Sequence, residues 1–210
     1  ISLSGQNEDA AATGDLDVTS TIIVIGTGSN SIIDARSYDR VWQVKSTGSL
    51  TLRDLTVTGG VLSAAHGGGL FNEGGSLTLE RVTVTGNSVS GSSSVGGAIY
   101  TSTGGTTNIL YSTLSKNSAV FGGALHNDGS TTILGSTITA NSSSNGGTIV
   151  ANASMTVTLS TISGNQAASA SVIDTSFGSA NVLFDQSTIA NNVSTGSTST
   201  FGVGGSSVVR

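Results

Sequence analysis

The chain has no cysteine and no proline, and only 9% of its 210 residues are charged. Without cysteine there is no disulfide framework and no thiolate zinc site. So little charge, with no proline, is unlike a disordered segment, which is rich in Pro, Glu and Lys. Lys and Arg number 7 against 12 Asp and Glu, for a net charge of −5. No basic cluster exists to neutralise phosphates, which excludes nucleic acid as a partner. No apolar run approaches the roughly 20 residues that span a bilayer, so the chain carries no transmembrane segment of that kind. Aromatics are 4%. What is abundant is glycine, 30 residues of it, together with serine and threonine. All three are poor helix formers, so a helical protein is excluded as well.

The apolar residues never form a helical stripe. They come in short bursts such as Ile22 to Ile25, Ile32-Ile33 and Val41-Trp42, separated by Gly, Ser, Thr and Asn. That pattern describes short strands with frequent turns. Six segments then align without gaps: 50–60, 77–87, 107–117, 131–141, 155–165 and 182–192. Their last residues advance in steps of 27, 30, 24, 24 and 27. A second marker keeps pace, as Gly68-Gly69-Leu70-Phe71, Gly96-Gly97-Ala98-Ile99, Gly122-Gly123-Ala124-Leu125 and Gly146-Gly147-Thr148-Ile149, with Ala170-Ser171-Val172-Ile173 continuing it without glycine. A unit this short cannot bury its own apolar face and must stack on its neighbours, which makes a solenoid.

Three aligned columns predict the core: Leu52, Leu79, Ile109, Ile133, Val157 and Phe184; Val57, Val84, Leu114, Ile138, Ile162 and Ile189; and Phe71, Ile99, Leu125, Ile149 and Ile173. Asn87, Asn117, Asn141, Asn165 and Asn192 fall together at one turn, where Asn tolerates left-handed backbone angles and stacked amides bond along the axis. Gly60 takes that place in the first coil, as suits a turn of positive φ. Arg53-Asp54 aligns with Glu80-Arg81, so each charge meets its opposite one coil away.

The Gly-Gly marker followed by a Ser-Thr-apolar-x-x-Asn segment resembles the right-handed parallel β-helix repeats of bacterial surface and secreted proteins. These are the polymorphic-outer-membrane-protein and autotransporter-passenger type, and more broadly the pectate-lyase-like β-helices. The resemblance covers residues 16–210 and implies an all-β parallel β-helix of about seven rungs. Residues 1–17 are expected to be an N-terminal cap segment with an edge strand at Ile1–Leu3, and 18–210 a single β-helical domain. The last residues, Gly204 to Val209, read as the opening of another rung, so the chain is expected to be part of a longer, processed, extracellular protein. Three sequons, at Asn141, Asn152 and Asn192, carry little weight in so Ser/Thr-rich a chain.

Acid–base catalysis needs carboxylates and basic groups converging on one groove. The acidic residues here are scattered, and solvated turns and surface pairs account for most of them. Candidates for an active site are His126, Asp128, Asp174 and Tyr100, because all lie just after the third core column on successive rungs. No His/Asp/Glu spacing supplies a metal site, and no cofactor is expected. Gly26-Thr27-Gly28 is followed by neither a helix nor a Lys, which excludes a phosphate loop. The most regular outward feature is the column Thr56, Thr83, Thr113, Thr137, Thr161 and Thr188, a candidate binding surface. A second column two positions on, from Thr58 to Ala190, makes a Thr-x-Thr array. The expected function is a non-catalytic structural or adhesive solenoid of the cell surface or exterior. Its partners are surface glycans or further copies stacked head to tail into filaments. The alternatives are a carbohydrate-active β-helix of the lyase or hydrolase kind, and ice binding through the Thr array.

Overall fold

A computed structural model describes residues 14–27, 30–168, 172–175, 180–196, 201–202 and 208–209. The expected strand at Ile1–Leu3, the stretch Gly204 to Ser207, and Ala170-Ser171 lie outside the described residues. Among those described there is no helix: the chain winds into a parallel β-solenoid with four sheets. The first sheet is built from Leu16–Val18, Trp42–Val44, Leu70–Asn72, Ile99–Thr101, Leu125–Asn127, Ile149–Ala151, Ile173–Asp174 and Phe201–Gly202. The second has eight strands, from Thr21–Ile25 through Thr106–Leu110 and Ser130–Leu134 to Val208–Val209. The third has seven, from Ile32–Asp34 to Thr188–Ala190, and the fourth six, from Val61–Ser63 to Val193–Ser194. Six coils therefore place a strand in every sheet, close to the seven rungs expected.

The first two columns stack as the repeat requires. Leu52 pairs with Leu79, Leu79 with Ile109, and so on to Phe184. Val57 likewise begins an unbroken series to Ile189. Every member except the terminal Phe184 and Ile189 is fully buried. The coils gain stability because each strand's backbone bonds to the coil on either side while its apolar face joins a shared core.

The third column needs a correction. Leu70, not Phe71, pairs with Ile99 and lies in the core; Phe71 pairs with Tyr100 on the outer face. Three successive glycines at 67–69 leave the register open by one residue, and both Leu and Phe suit a core. The backbone decides it: Gly67, Gly96 and Gly122 share a left-handed conformation with φ of +65°, +70° and +63°. A one-residue slip exchanges the two faces of a strand, so Phe71 moves from inside to outside.

The Asn turn also differs in detail. The left-handed residue is the one before the column: Gly59, Gly86, Lys116, Ala140, Gly164 and Asn191, with φ from +54° to +74°. Gly60 and the five Asn have no positive φ. Glycine stands at 60 for another reason, since a Cβ there would come within 1.8 Å of the Gly68 carbonyl oxygen. The Asn side chains run as a buried ladder instead. Asn87 Nδ2 donates to Asn117 Oδ1 at 3.0 Å, Asn117 to Asn141 at 2.9 Å, Asn141 to Asn165 at 3.0 Å and Asn165 to Asn192 at 2.9 Å.

Candidate functional site

The outer face of the first sheet carries one column of unusual chemistry: Asp17, Gln43, Phe71, Tyr100, His126, Val150 and Asp174. It holds most of the groups that could do chemistry because its strands alternate in and out, leaving Leu70, Ile99, Leu125 and Ile149 to the core. Three of the four candidate residues come together here. Tyr100 Oη donates to Asp128 Oδ2 at 2.8 Å, and His126 Nε2 lies 3.3 Å from Asp128 Oδ1. Asn152, from the next coil, donates to the same Oδ1 at 2.7 Å. Asp174 does not join them: it lies two strands beyond His126, with Val150 between, and is itself buried.

The electrostatics follow from this packing. Burial works against ionised Asp128, but hydrogen bonds from His126 and Asn152, the His126 charge and the Tyr100 hydroxyl outweigh it and hold its pKa down at about 2. Burial, then the hydrogen bond to Asp128 and its charge, push the Tyr100 phenol upward. Burial, His126 and Arg40 lower the pKa of His66. A carboxylate whose two oxygens already accept from three side chains is a poor proton donor or acceptor at neutral pH. A phenol pushed upward is equally unfitted to act as a base.

The aromatic groups stack along the solenoid axis. Phe71 and Tyr100 have centroids 5.1 Å apart and planes 12° from parallel. The Arg40 guanidinium lies 5.2 Å from the Phe71 centroid. His66 and His126 meet Tyr100 edge-on at 5.4 and 5.5 Å. The ring faces are thus occupied by neighbouring coils, which is the role of a stabilising ladder. Arg40 also pairs with Asp15 at 2.6 Å, and Lys45 bridges Asp17 and Glu73 at 3.5 and 3.3 Å. Among the described residues no group of three or more His, Asp or Glu could hold a metal ion.

This geometry gives a pH test. The depressed Asp128 pKa makes its contacts a source of stability above the ordinary carboxyl value of 3.8, lost as pH falls toward about 2. That shift corresponds to about 2 kcal/mol. Asp128→Asn is expected to be less stable than wild type at pH 7, and chemical denaturation should show the gap closing between about pH 4 and pH 2. A gap that stays constant with pH would mean that the Asp128 charge contributes nothing.

The third sheet presents the expected Thr column in exact strand register. Thr56, Thr83, Thr113, Thr137, Thr161 and Thr188 pair coil to coil. The first five are half-buried and Thr188 is exposed. A second outward column, on the adjoining second sheet, was missed: Thr51, Thr78, Asn108, Thr132 and Thr156, bounded by Ile23 and Leu183. The same aligned segments contain it, three positions before the left-handed corner residue. A comparison with protein-family models, curated proteins and solved structures finds no match. Among the described residues no helix is long and apolar enough to cross a membrane.

Two buried polar ladders also escaped the sequence reading. Ser112, Ser136, Ser160 and Ser187 accept backbone N–H groups from Val82, Ser112, Ser136 and Ser160, at 3.0 to 3.2 Å. Inside the coil, Thr101 and Thr107 hydroxyls meet at 2.7 Å, and Thr131 donates to Asn127 at 2.8 Å. A small hydroxyl aligned with Leu55 and Val82 looks like a failed core position; it is a corner where backbone donors need an acceptor.

Proposed function

We propose that this chain is a non-catalytic scaffold of a secreted or cell-surface protein, which presents hydroxyl-lined faces to other molecules, surface glycans among them. The observation that carries this reading is the pair of in-register Thr columns on two adjoining faces, alongside ionisable groups that are engaged with one another. Threonine on an exposed sheet supplies both a hydroxyl and a methyl at a fixed spacing, a surface that suits neutral, hydroxyl-rich partners. The resemblance to repeats of bacterial surface proteins agrees with it, as an analogy of fold. Glycan-array binding by the wild-type protein tests it. Replacing Thr132, Thr137 and Thr156 with Val is expected to abolish binding while leaving the fold intact; binding unchanged by that variant counts against the reading.

A carbohydrate-active enzyme is the second reading: Tyr100, His126 and Asp128 converge on one outer face, though it requires a substrate to displace the bonds that now hold Asp128 and Tyr100 out of proton transfer. Turnover on a polysaccharide panel, abolished in Asp128→Asn, would establish it over the scaffold reading.

A further inference from the structure

The corner between the second and third sheets is left-handed in coil after coil, at Asp54, Arg81, Tyr111, Gly135, Leu159 and Gln186, with φ from +47° to +58°. Glycine or a polar residue is the usual tenant of such a position, and a bulky apolar side chain there is strained. Yet Tyr111 and Leu159 occupy it with 60% and 56% of their surface exposed. Beside them on the second sheet, Leu110 and Leu134 are only half-buried and pair in adjacent strands. Gly135 stands between the two large residues, and the Tyr111 ring edge lies over it, where a Cβ would come within 2.7 Å of Cδ1. The result is an apolar ridge in the middle coils, separated by ion pairs and hydroxyls from the exposed Ile23, Ile25, Ile32 and Leu183 of the outer coils.

The order of residues along this ridge identifies what covers it. We infer that it is the interface of a lateral dimer, in which a second copy of this chain lies alongside with its coils running in the opposite direction. The two-fold axis runs along the strand direction, between Thr106–Leu110 and Ser130–Leu134. Each column then faces itself with coil order reversed. Leu110 meets Leu134 of the other copy, and Tyr111 meets the bare backbone of Gly135. One coil further out, the Glu80 carboxylate meets the Thr158 hydroxyl and the Arg81 stem covers Leu159. At the ends, Arg53 meets the exposed Asp185, and Asp54 meets the Gln186 amide. These ranks join apolar with apolar, charge with opposite charge, or donor with acceptor, except that Arg81 lays its apolar stem on Leu159, and none sets like charges against one another. Arg53 and Arg81 keep their own partners, Glu80 and Asp54, at 2.7 Å each, and a guanidinium has donors left for a second acceptor.

A chain without cysteine allows a direct test. Within one copy the strands carrying Arg53 and Asp185 are five strand spacings apart, about 24 Å, too far for a disulfide. The double variant Arg53→Cys with Asp185→Cys is expected to form a covalent dimer on oxidation, whereas neither single variant does. Sedimentation should show wild type dimerising with concentration. Leu134→Asp, at a half-exposed outward position, should lose the dimer and keep the wild-type circular dichroism. Wild type that stays monomeric at millimolar concentration overturns the inference. So do single-cysteine variants that cross-link to themselves, which would mean parallel coils, and a Leu134→Asp protein that still dimerises.

Discussion

Asn141→Ala is expected to lower the unfolding free energy by about 3–5 kcal/mol, although it removes one uncharged side chain near the surface of a coil. Asn141 is 1% exposed. Its Oδ1 accepts from the Asn117 backbone N–H at 3.0 Å and from Asn117 Nδ2 at 2.9 Å. Its Nδ2 donates to the Leu114 and Thr139 carbonyls and to Asn165 Oδ1. Truncation orphans a buried N–H and a buried carbonyl, each at about 1–3 kcal/mol, and breaks the ladder in its middle. Asn141→Asp separates this account from simple loss of packing. It keeps the acceptor and the volume, but turns the donor into an oxygen facing three oxygens. At pH 7 it should be worse than the alanine variant, because a buried carboxylate there has no cationic partner and one of its oxygens faces only other oxygens. Protonation restores a donor, so its stability should recover as pH falls toward 4. Urea denaturation at both pH values reads the difference. An aspartate variant as stable as wild type at pH 7 would show that the ladder is ornamental.

The same ladder shows what the sequence can and cannot carry. The five Asn were visible because one residue type recurs at one place in segments that align without gaps, and the two long aliphatic columns were visible because apolar residues recur in the same way. The fold follows from such periodicity, because a strand stacked in register repeats its neighbour's environment. Phe71 was misplaced where periodicity offers no help: Gly67-Gly68-Gly69 aligns equally well in two registers, and only the left-handed angle at Gly67 separates them. The Tyr100–His126–Asp128 cluster was half legible. Position after a core column put Tyr100, His126 and Asp174 on one face. The spacing sets Asn152, 24 residues or one repeat step after Asp128, on the neighbouring coil, but a single Asn with no recurrence gave no sign that its amide completes the set. The column Leu125, Ile149, Ile173 already sets Asp174 two coils from His126, and the structure keeps that separation. The Ser112–Ser187 ladder was missed because a column that begins with Leu55 and Val82 and continues as Ser shows no single pattern, and only the tight corner shows what those hydroxyls accept.

Gly123→Ala is expected to be strongly destabilising, as the same change would be at Gly60, where the added Cβ would approach a backbone oxygen equally closely. A Cβ at Gly123 would stand 1.9 Å from the Ser142 carbonyl oxygen, 2.6 Å from its carbon and 3.2 Å from its nitrogen. All three are backbone atoms of the next coil, so no flexible side chain can turn aside. Relief requires the two coils to separate, and separation breaks the hydrogen bonds from Gly122 and Ala124 to Gly147 and Thr148 on that coil. A cost of about 3 kcal/mol or more follows from overpacking alone. Gly123 has no positive φ, so the penalty is one of coil spacing and not of backbone conformation. Gly104→Ala isolates the other effect: its φ is +85° and nothing lies within 4 Å of the added Cβ, so about 1 kcal/mol of strain is all it should show. Because each coil contacts only its neighbours, the damage in Gly123→Ala should begin between the coils of Leu125–Asn127 and Ile149–Ala151 and not spread evenly. Hydrogen exchange should then show early opening on both sides of that boundary, and denaturation should lose cooperativity. A variant that melts as wild type does, with uniform protection, would mean that these coils are not held at the spacing that keeps Thr113, Thr137 and Thr161 in one row.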